Sequence, residues 1–156
     1  MATMRVWIKP SSCTYCRRRL LDMKDHVVPR AHGGPDADWN LVPVCKVCNG
    51  MLSSCFPARD GDSIARIRWK KTLLVRRWQR ALRANRAWRR LTADQRWEEV
   101  RRGSGWWTRY LPRSLQLEYP RLRADRPNEC VVGEGAAARW RVRRRRRCPP
   151  RANSSG

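Results

Sequence analysis

The chain has 156 residues and a formal net charge of +23, with 36 Lys+Arg against 13 Asp+Glu. This length allows one domain, or one small domain with extensions. No stretch approaches the ~20 consecutive apolar residues of a membrane span. The N-terminal sequence MATMRVWIKP lacks the basic region and apolar run of a signal peptide. The sequence therefore predicts a cytoplasmic protein with no membrane contact.

The positive charge is concentrated in the C-terminal part of the chain. Residues 1–60 carry nine Lys+Arg and five Asp+Glu, whereas residues 61–156 carry 27 and eight. Arg outnumbers Lys 31 to 5, and the guanidinium fork suits phosphate geometry. This excess predicts a nucleic acid as the partner, with an anionic membrane surface as the weaker alternative. A GC-rich genome, which enriches Arg codons, is a second explanation of the excess.

The first 60 residues alternate between strand and loop patterns. The stretch LLDMKDHVV (20–28) is compatible with a strand and ends before Pro29. The stretch AHGGPDADWN (31–40) has the composition of a loop, and LVPVC (41–45) is typical of a short second strand. A helix is predicted to begin within or after CKVCN (45–49). The expected order is therefore strand, loop, strand, helix.

Residues 61–103 show the apolar periodicity of helices. Asp62 is a candidate cap for a long helix, and Lys71 is the one basic residue on its apolar seam. A second helix is predicted to begin at Thr92, which forms a capping box with Gln95, and to end at Gly103. The apolar residues of the first seam are Ile64, Ile67, Leu74, Trp78, Ala81 and Trp88.

The C-terminal part has weaker patterns. Residues 104–138 are expected to be irregular or partly helical. The segment RWRVRRRRRCPPRANSSG (139–156) is a run of like charges followed by turn formers. Such a composition buries too little apolar surface to order itself. We therefore expect a disordered Arg-rich tail that serves as a nucleic-acid arm.

Two C-x-x-C pairs, Cys13/Cys16 and Cys45/Cys48, are the strongest motif in the chain. The two-residue spacing lets both thiolates of a pair reach one tetrahedral ion at ~2.3 Å, and two pairs close the site. A closed thiolate site is structural, and in a segment with few large apolar residues it replaces hydrophobic core. A redox dithiol is the alternative explanation for each pair. The matched pairs favour a structural zinc ion.

Between the two pairs lie residues suited to phosphate chemistry. Asp25 and His26 are expected to point to opposite faces of a strand. Asp25 and Asn49 offer a carboxylate and an amide oxygen, a sparse ligand set that suits Mg²⁺. A neutral His26 can deprotonate a water molecule aimed at phosphorus. The other histidine of the chain, His32, is expected to be a loop residue that either contacts a substrate phosphate or stabilises the loop.

The stretch CTYC…DHVVPRAHGGPDADWNLVPVCKVCN (13–49) resembles the HNH endonucleases of the ββα-metal fold, in particular the bacterial and bacteriophage group with two C-x-x-C pairs. This resemblance implies that Asp25 ligates a catalytic metal ion and that His26 is the general base. It implies that Asn40 orients the base and the loop, and that Asn49 is the second metal ligand. The implied activity is hydrolysis of DNA phosphodiester bonds with Mg²⁺ or another divalent ion.

The chain departs from that family pattern at two points. Residue 49 is Asn where many relatives have His, and the sequence GMLSSCF (50–56) lacks the lysine that many relatives have there. The missing lysine is expected either to weaken phosphate contact or to leave this role to Arg59 or the helix that follows. The candidate nucleic-acid-binding residues are Arg30, His32, Arg59, Arg68, Lys70, Lys71, Arg76 and Arg77.

The predicted fold class is α+β, with a small zinc-stapled ββα-metal module followed by basic helices and a disordered tail. The predicted boundaries are 1–60 for the module, 61–103 for the helical extension, 104–138 for the mixed segment and 139–156 for the tail. The favoured function is a DNA endonuclease, with a possible partner protein from a packaging, restriction or homing system. The alternatives are a catalytically inactive zinc-knuckle nucleic-acid binder and a structural protein of a ribonucleoprotein particle.

Overall fold

A computed structural model describes residues 12–18, 23–53, 55–103, 105–122 and 129–142. Its N-terminal unit is an antiparallel hairpin of β1 (Met23–His26) and β2 (Leu41–Val44), followed by α1 (Lys46–Leu52). Asp25 lies opposite Val42 and His26 opposite Leu41. The predicted order of strand, loop, strand and helix is confirmed.

A long helix, α2 (Ile64–Ala84), packs across this unit. Its cap is Ser63 rather than the predicted Asp62, because the Ser63 hydroxyl accepts the backbone N–H of Arg66 at 3.2 Å. Asp62 instead accepts the backbone N–H of Arg59 at 2.8 Å. The buried face of α2 follows the expected helical spacing and includes Lys71.

Shorter helices complete the α-helical layer. They are α3 (Arg86–Arg90), α4 (Ala93–Arg101) and α5 (Arg113–Leu122), with a 3₁₀ turn at Trp106–Tyr110. The predicted capping box of α4 is confirmed, since Thr92 and Gln95 exchange both hydrogen bonds. α4 packs against α1, and so joins the helical layer to the N-terminal unit.

The C-terminal segment forms a second hairpin, β3 (Glu129–Val132) and β4 (Arg139–Val142). The prediction of a disordered tail from residue 139 onwards is wrong for residues 139–142, which form β4. Their order has a physical cause, because the Trp140 side chain is fully buried in the core. Cys130 of β3 is disulfide-bonded. The rest of the predicted tail lies outside the described residues.

Two aromatic groups anchor the core. Trp78, Trp107 and Tyr119 pack with ring centroids 5.1–5.6 Å apart. Phe56 packs edge-on against Trp140 at 5.0 Å, which joins the C-terminal hairpin to the N-terminal unit. Within the described ranges, no helix is long and apolar enough to cross a membrane.

Candidate active site

Four cysteines from opposite ends of the N-terminal unit form one cluster. The Sγ atoms of Cys13, Cys16, Cys45 and Cys48 all lie within 4.8 Å of one another. Cys16 and Cys45 are 3.8 Å apart, which is about the separation that bonds of ~2.3 Å to a tetrahedral ion require. Hydrogen bonds among the four thiols lower the pKa of Cys13 and raise the pKa of Cys45 and Cys48. The cluster fits a structural zinc ion.

The cysteine cluster also fixes the start of α1. Cys45 is the N-cap residue of this helix, and its sulfur accepts the backbone N–H of Cys48 at 3.4 Å. Thr14 ties the first cysteine pair to β2, because its backbone N–H and its hydroxyl both donate to the Pro43 carbonyl. Hairpin, helix and cysteine turn are thereby held in one arrangement around β1.

Asn40 holds the loop that joins the two strands. Its side chain is fully buried and exchanges two hydrogen bonds with the backbone of Val28, at 2.9 and 3.0 Å. It also donates to the Pro35 carbonyl at 3.0 Å. A Cβ atom at Gly34 would lie 1.8 Å from the Val28 carbonyl oxygen, so only glycine allows the backbone to approach this closely. Asn40 therefore holds the loop, and it makes no hydrogen bond to the His26 ring.

The His26 ring lies on the outer face of β1, with its side chain 25% exposed. Its Nε2 atom is 2.6 Å from Oδ1 of Asp36, on the loop between the strands. Arg30 lies 3.5 Å from the other oxygen of that carboxylate. The hydrogen bond from His26, aided by the charge of Arg30, holds the pKa of Asp36 below its ordinary value. Asp36 is therefore ionised at neutral pH beside the imidazole.

Asp25 points the opposite way, into the protein, and is only 7% exposed. Its Oδ2 atom accepts the Tyr15 hydroxyl at 2.6 Å and the Lys71 ammonium at 2.7 Å. The same ammonium donates to the carbonyls of His26 and Val27 at 2.8 and 3.1 Å. All three N–H groups of the lysine are thus satisfied. Lys71 binds both the acid and the backbone of the strand that carries His26.

Burial dominates the protonation of the two groups that hold Asp25. It raises the pKa of Tyr15 well above the usual range, and the negative charge of Asp25 adds to that shift. Burial lowers the pKa of Lys71, while the Asp25 carboxylate opposes this change. Tyr15 therefore remains a neutral donor, and the charge of Lys71 depends on the presence of Asp25.

Asn49 lies on the same side of β1 as Asp25. Its amide donates to the Met23 sulfur at 3.2 Å, and Met23 and Asp25 share a strand face. Among the described residues, none donates to Oδ1 of Asp25 or to Oδ1 of Asn49. A carboxylate oxygen and an amide oxygen are among the ligand types that a hard divalent ion takes. Lys71 already supplies one positive charge at this acid.

Two of the predicted phosphate contacts are wrong. The Lys71 side chain has no solvent exposure, and its ammonium group forms an ion pair with Asp25. His32 is 3% exposed, because its Nδ1 atom pairs with Glu129 and its ring stacks on Phe56 at 4.7 Å. Both side chains are internal ion-pair partners and cannot reach a substrate phosphate.

The other predicted nucleic-acid contacts fall into two groups. Lys70 forms an ion pair with Asp62, and Arg77 forms one with Glu118 through two bonds of 2.5 Å. These two charges are largely neutralised. The remaining members are exposed on the surface, with Arg30 beside Asp36; they are Arg30, Arg59, Arg68 and Arg76.

The sequence does not indicate the roles of two residues of this site, Tyr15 and Asp36. Tyr15 lies between the two cysteines of the first pair, and Asp36 follows the glycine pair of the loop. Neither position has a local pattern that would indicate its partner. For Lys71 a signal existed, because a lysine on an apolar helical seam is expected to be buried with an acid.

A β-hairpin and a short helix meet at a four-cysteine cluster that fits a zinc ion, and together they define a ββα module. Residues 13–54 match the family model of the HNH endonucleases. This part of the chain is therefore an HNH domain, as the motif resemblance implied. No curated protein and no solved structure matches the chain.

The ion pair of Lys71 predicts a large stability effect. Lys71→Met keeps most of the side-chain volume but leaves Asp25 as a buried charge without its partner. Loss of one member of a buried pair costs about 3–5 kcal/mol, which should appear in the free energy of unfolding measured in urea. Arg77→Met is the matched control, because its pair with Glu118 lies at the surface, where such pairs contribute about 0–1 kcal/mol. Equal losses in the two variants would contradict the assignment.

Proposed function

We propose that this chain is a metal-dependent HNH endonuclease that hydrolyses DNA phosphodiester bonds, with His26 as the general base. The observation that supports it best is the pairing of a partly exposed imidazole with the Asp36 carboxylate. A buried acid, Asp25, lies on the other face of the same strand. The match of residues 13–54 to the HNH endonuclease family makes nucleic acid the natural substrate.

The contact with Asp36 determines which nitrogen of His26 acts. An ionised carboxylate can only accept hydrogen bonds. Nε2 of His26 therefore carries the hydrogen and donates a hydrogen bond to Asp36. Nδ1 then holds the lone pair, and no residue in the described part of the chain donates to it. A water molecule bound there would give a proton to Nδ1 as its oxygen forms a bond to phosphorus. The P–O ester bond on the opposite side breaks in the same step, and the leaving oxygen takes a proton from solvent. Asp36 stabilises the imidazolium that forms, as the acid does in other acid–histidine pairs.

Asp25 and Asn49 are the residues that would hold the divalent ion, through their Oδ1 atoms. When bound, the ion stabilises the negative charge that develops on the phosphate oxygens. The chain's own contribution is to fix its oxygens. Tyr15 and Lys71 restrain Asp25 through Oδ2, so that the other oxygen keeps a constant direction.

A second candidate function is a nucleic-acid-binding module without catalysis. One observation favours it: the Lys71 ammonium lies 2.7 Å from the carboxylate that would bind the ion. A neighbouring positive charge weakens the affinity of that carboxylate for a divalent cation. The two candidates make different predictions for cleavage, but both predict DNA binding.

Plasmid cleavage in Mg²⁺ or Mn²⁺ separates the two candidates. We expect the wild-type chain to cut, and Asn49→Ala to need roughly 10-fold or more Mn²⁺ for half-maximal cleavage. Asn49→His should retain cleavage, because the imidazole supplies a replacement ligand. A control reaction contains EDTA, which removes the added divalent ion. The zinc content of the protein is then measured, so that loss of the catalytic ion is not confused with loss of zinc. A wild-type chain that binds DNA and cuts it with none of the divalent ions would favour the binding module.

A further inference from the structure

The basic residues of α2 divide by their partners. Lys70, Lys71 and Arg77 are paired with Asp62, Asp25 and Glu118. Arg68 and Arg76 form no ion pair with any acid in the part of the chain that the structure describes. Since these two arginines are eight residues apart, they lie within about a quarter turn of each other around the helix axis. Their charges remain available to an external anion.

Arg68 and Arg76 line a cleft between α2 and the first cysteine turn. The cleft measures about 530 Å³, which is within the range of ~300–1,000 Å³ of small-molecule sites. None of the described residues that line it is acidic. The residues relevant to binding are Thr14, Arg17, Arg68, Trp69, Thr72 and Arg76.

Arg17 is placed on the cleft by the zinc-binding turn. Its backbone has a φ of 63°, a left-handed conformation that residues other than glycine rarely adopt. Its N–H donates to the Cys13 carbonyl at 3.0 Å and so closes the turn. Unusual backbone of this kind tends to occur at functional sites. The cysteine cluster therefore positions a third guanidinium opposite the two of α2.

Trp69 lies on the same cleft with 53% of its surface exposed. The Arg66 guanidinium lies 5.3 Å from its ring centroid and is not among the residues that line the cleft. A cation from outside the cleft therefore lies against the indole, and about half of the Trp69 surface is still exposed. A large exposed aromatic surface among three arginines has the composition of a stacking platform for bases.

We propose that this cleft binds a single-stranded segment of nucleic acid, with a base stacked on Trp69 and phosphates on Arg17, Arg68 and Arg76. The inference rests on the proposed function, which makes nucleic acid the substrate, and it adds the place where that nucleic acid binds. A single strand is favoured over a duplex, because a base within a duplex is already stacked on both faces. Arg68 and Thr72 lie within one turn of Lys71 on α2, and Lys71 binds the backbone at His26. One helix thus connects the cleft with the strand of the proposed base.

The test compares Trp69→Ala with Trp106→Ala in the full-length chain. Trp106 is similarly exposed, at 46%, and lies outside the cleft. Binding to a labelled oligothymidine and to a hairpin duplex is followed by fluorescence anisotropy without added divalent ions, so that no substrate is cut. We expect Trp69→Ala to weaken single-strand binding by about 5- to 100-fold. The same variant should weaken duplex binding much less, and Trp106→Ala should have much smaller effects on single-strand binding.

A second comparison tests the phosphate contacts. Arg68→Ala should flatten the dependence of log affinity on log salt concentration by about 0.7 for a single strand. Arg80→Ala removes the same charge from the same helix at an exposed position outside the cleft, and should change this slope less.

Two results would overturn the proposal: equal losses in the two tryptophan variants, or an equal loss on duplex and single strand after Trp69→Ala. Failure of the proposed function is distinguishable from this. A chain that cuts plasmid but binds single strands independently of Trp69 refutes the cleft alone. A chain that binds through Trp69 but never cuts refutes the endonuclease alone.

Discussion

Replacement of Cys45 by serine is expected to remove zinc and unfold the HNH domain. The four cysteines hold the first turn, the hairpin and α1 together, and Cys45 also caps that helix. Structural zinc contributes about 10–16 kcal/mol of apparent binding free energy in small modules, whereas whole domains have a net stability of about 5–15 kcal/mol. An incomplete site therefore leaves too little free energy for folding. Zinc content by mass spectrometry and thermal melting by circular dichroism measure the result.

Cys55→Ser is the matched control for this prediction. Cys55 is buried like Cys13 and Cys48 but does not belong to the cluster. We expect this variant to keep one zinc ion per chain even where its melting temperature falls, because the packing cost is separate from metal binding. A Cys45→Ser chain with full zinc content and an unchanged melting temperature would show that the cluster is not a structural zinc site.

Replacement of His26 by alanine is expected to lower the rate of DNA cleavage by about 10²- to 10⁴-fold, which is the usual contribution of a general base. DNA affinity and melting temperature should change little, because the imidazole is partly exposed and its partner Asp36 is 61% exposed. Single-turnover cleavage and binding are measured on the same preparations. Wild-type cleavage by His26→Ala would refute the assignment of the base.

His32→Ala provides the contrast, since it removes the only other histidine. That ring is buried against Phe56 and pairs with Glu129 of β3, so its removal leaves a buried acid without this partner. We expect the melting temperature to fall, while cleavage per folded molecule persists at low temperature. The two variants thus separate a role in chemistry from a role in structure.

Much of the N-terminal fold could be predicted because its signals are local. The spacing within each C-x-x-C pair is set by ligand geometry, and the structure confirms the cluster and the order of strands and helix. The capping box at Thr92 and Gln95 is likewise a short-range pattern. The cap of α2 was misplaced by one residue, because Asp62 and Ser63 are both good capping residues and only tertiary contacts decide between them.

The errors concern charged residues whose partners are distant in the sequence. Lys71 pairs with an acid 46 residues away, and His32 with one 97 residues away. The sequence makes both residues candidates for phosphate contact, with loop stabilisation as the other option for His32, because nothing close to either residue in the chain indicates its acidic partner. The order of residues 139–142 has the same origin, since Trp140 packs on Phe56. Trp140 is surrounded by arginines in the sequence, so the local composition does not indicate that its side chain belongs to the core.

The sequence alone determined that this chain contains an HNH domain with four cysteines suited to zinc, because those residues are defined by spacing over a few positions. It also determined the excess of positive charge. Only the tertiary structure decided which charges remain available: Lys70, Lys71 and Arg77 are paired internally, whereas Arg68 and Arg76 face a cleft beside Trp69. The physical reason is that a charge acts on a ligand only where no buried or neighbouring acid already holds it. That depends on which distant segments the fold brings together.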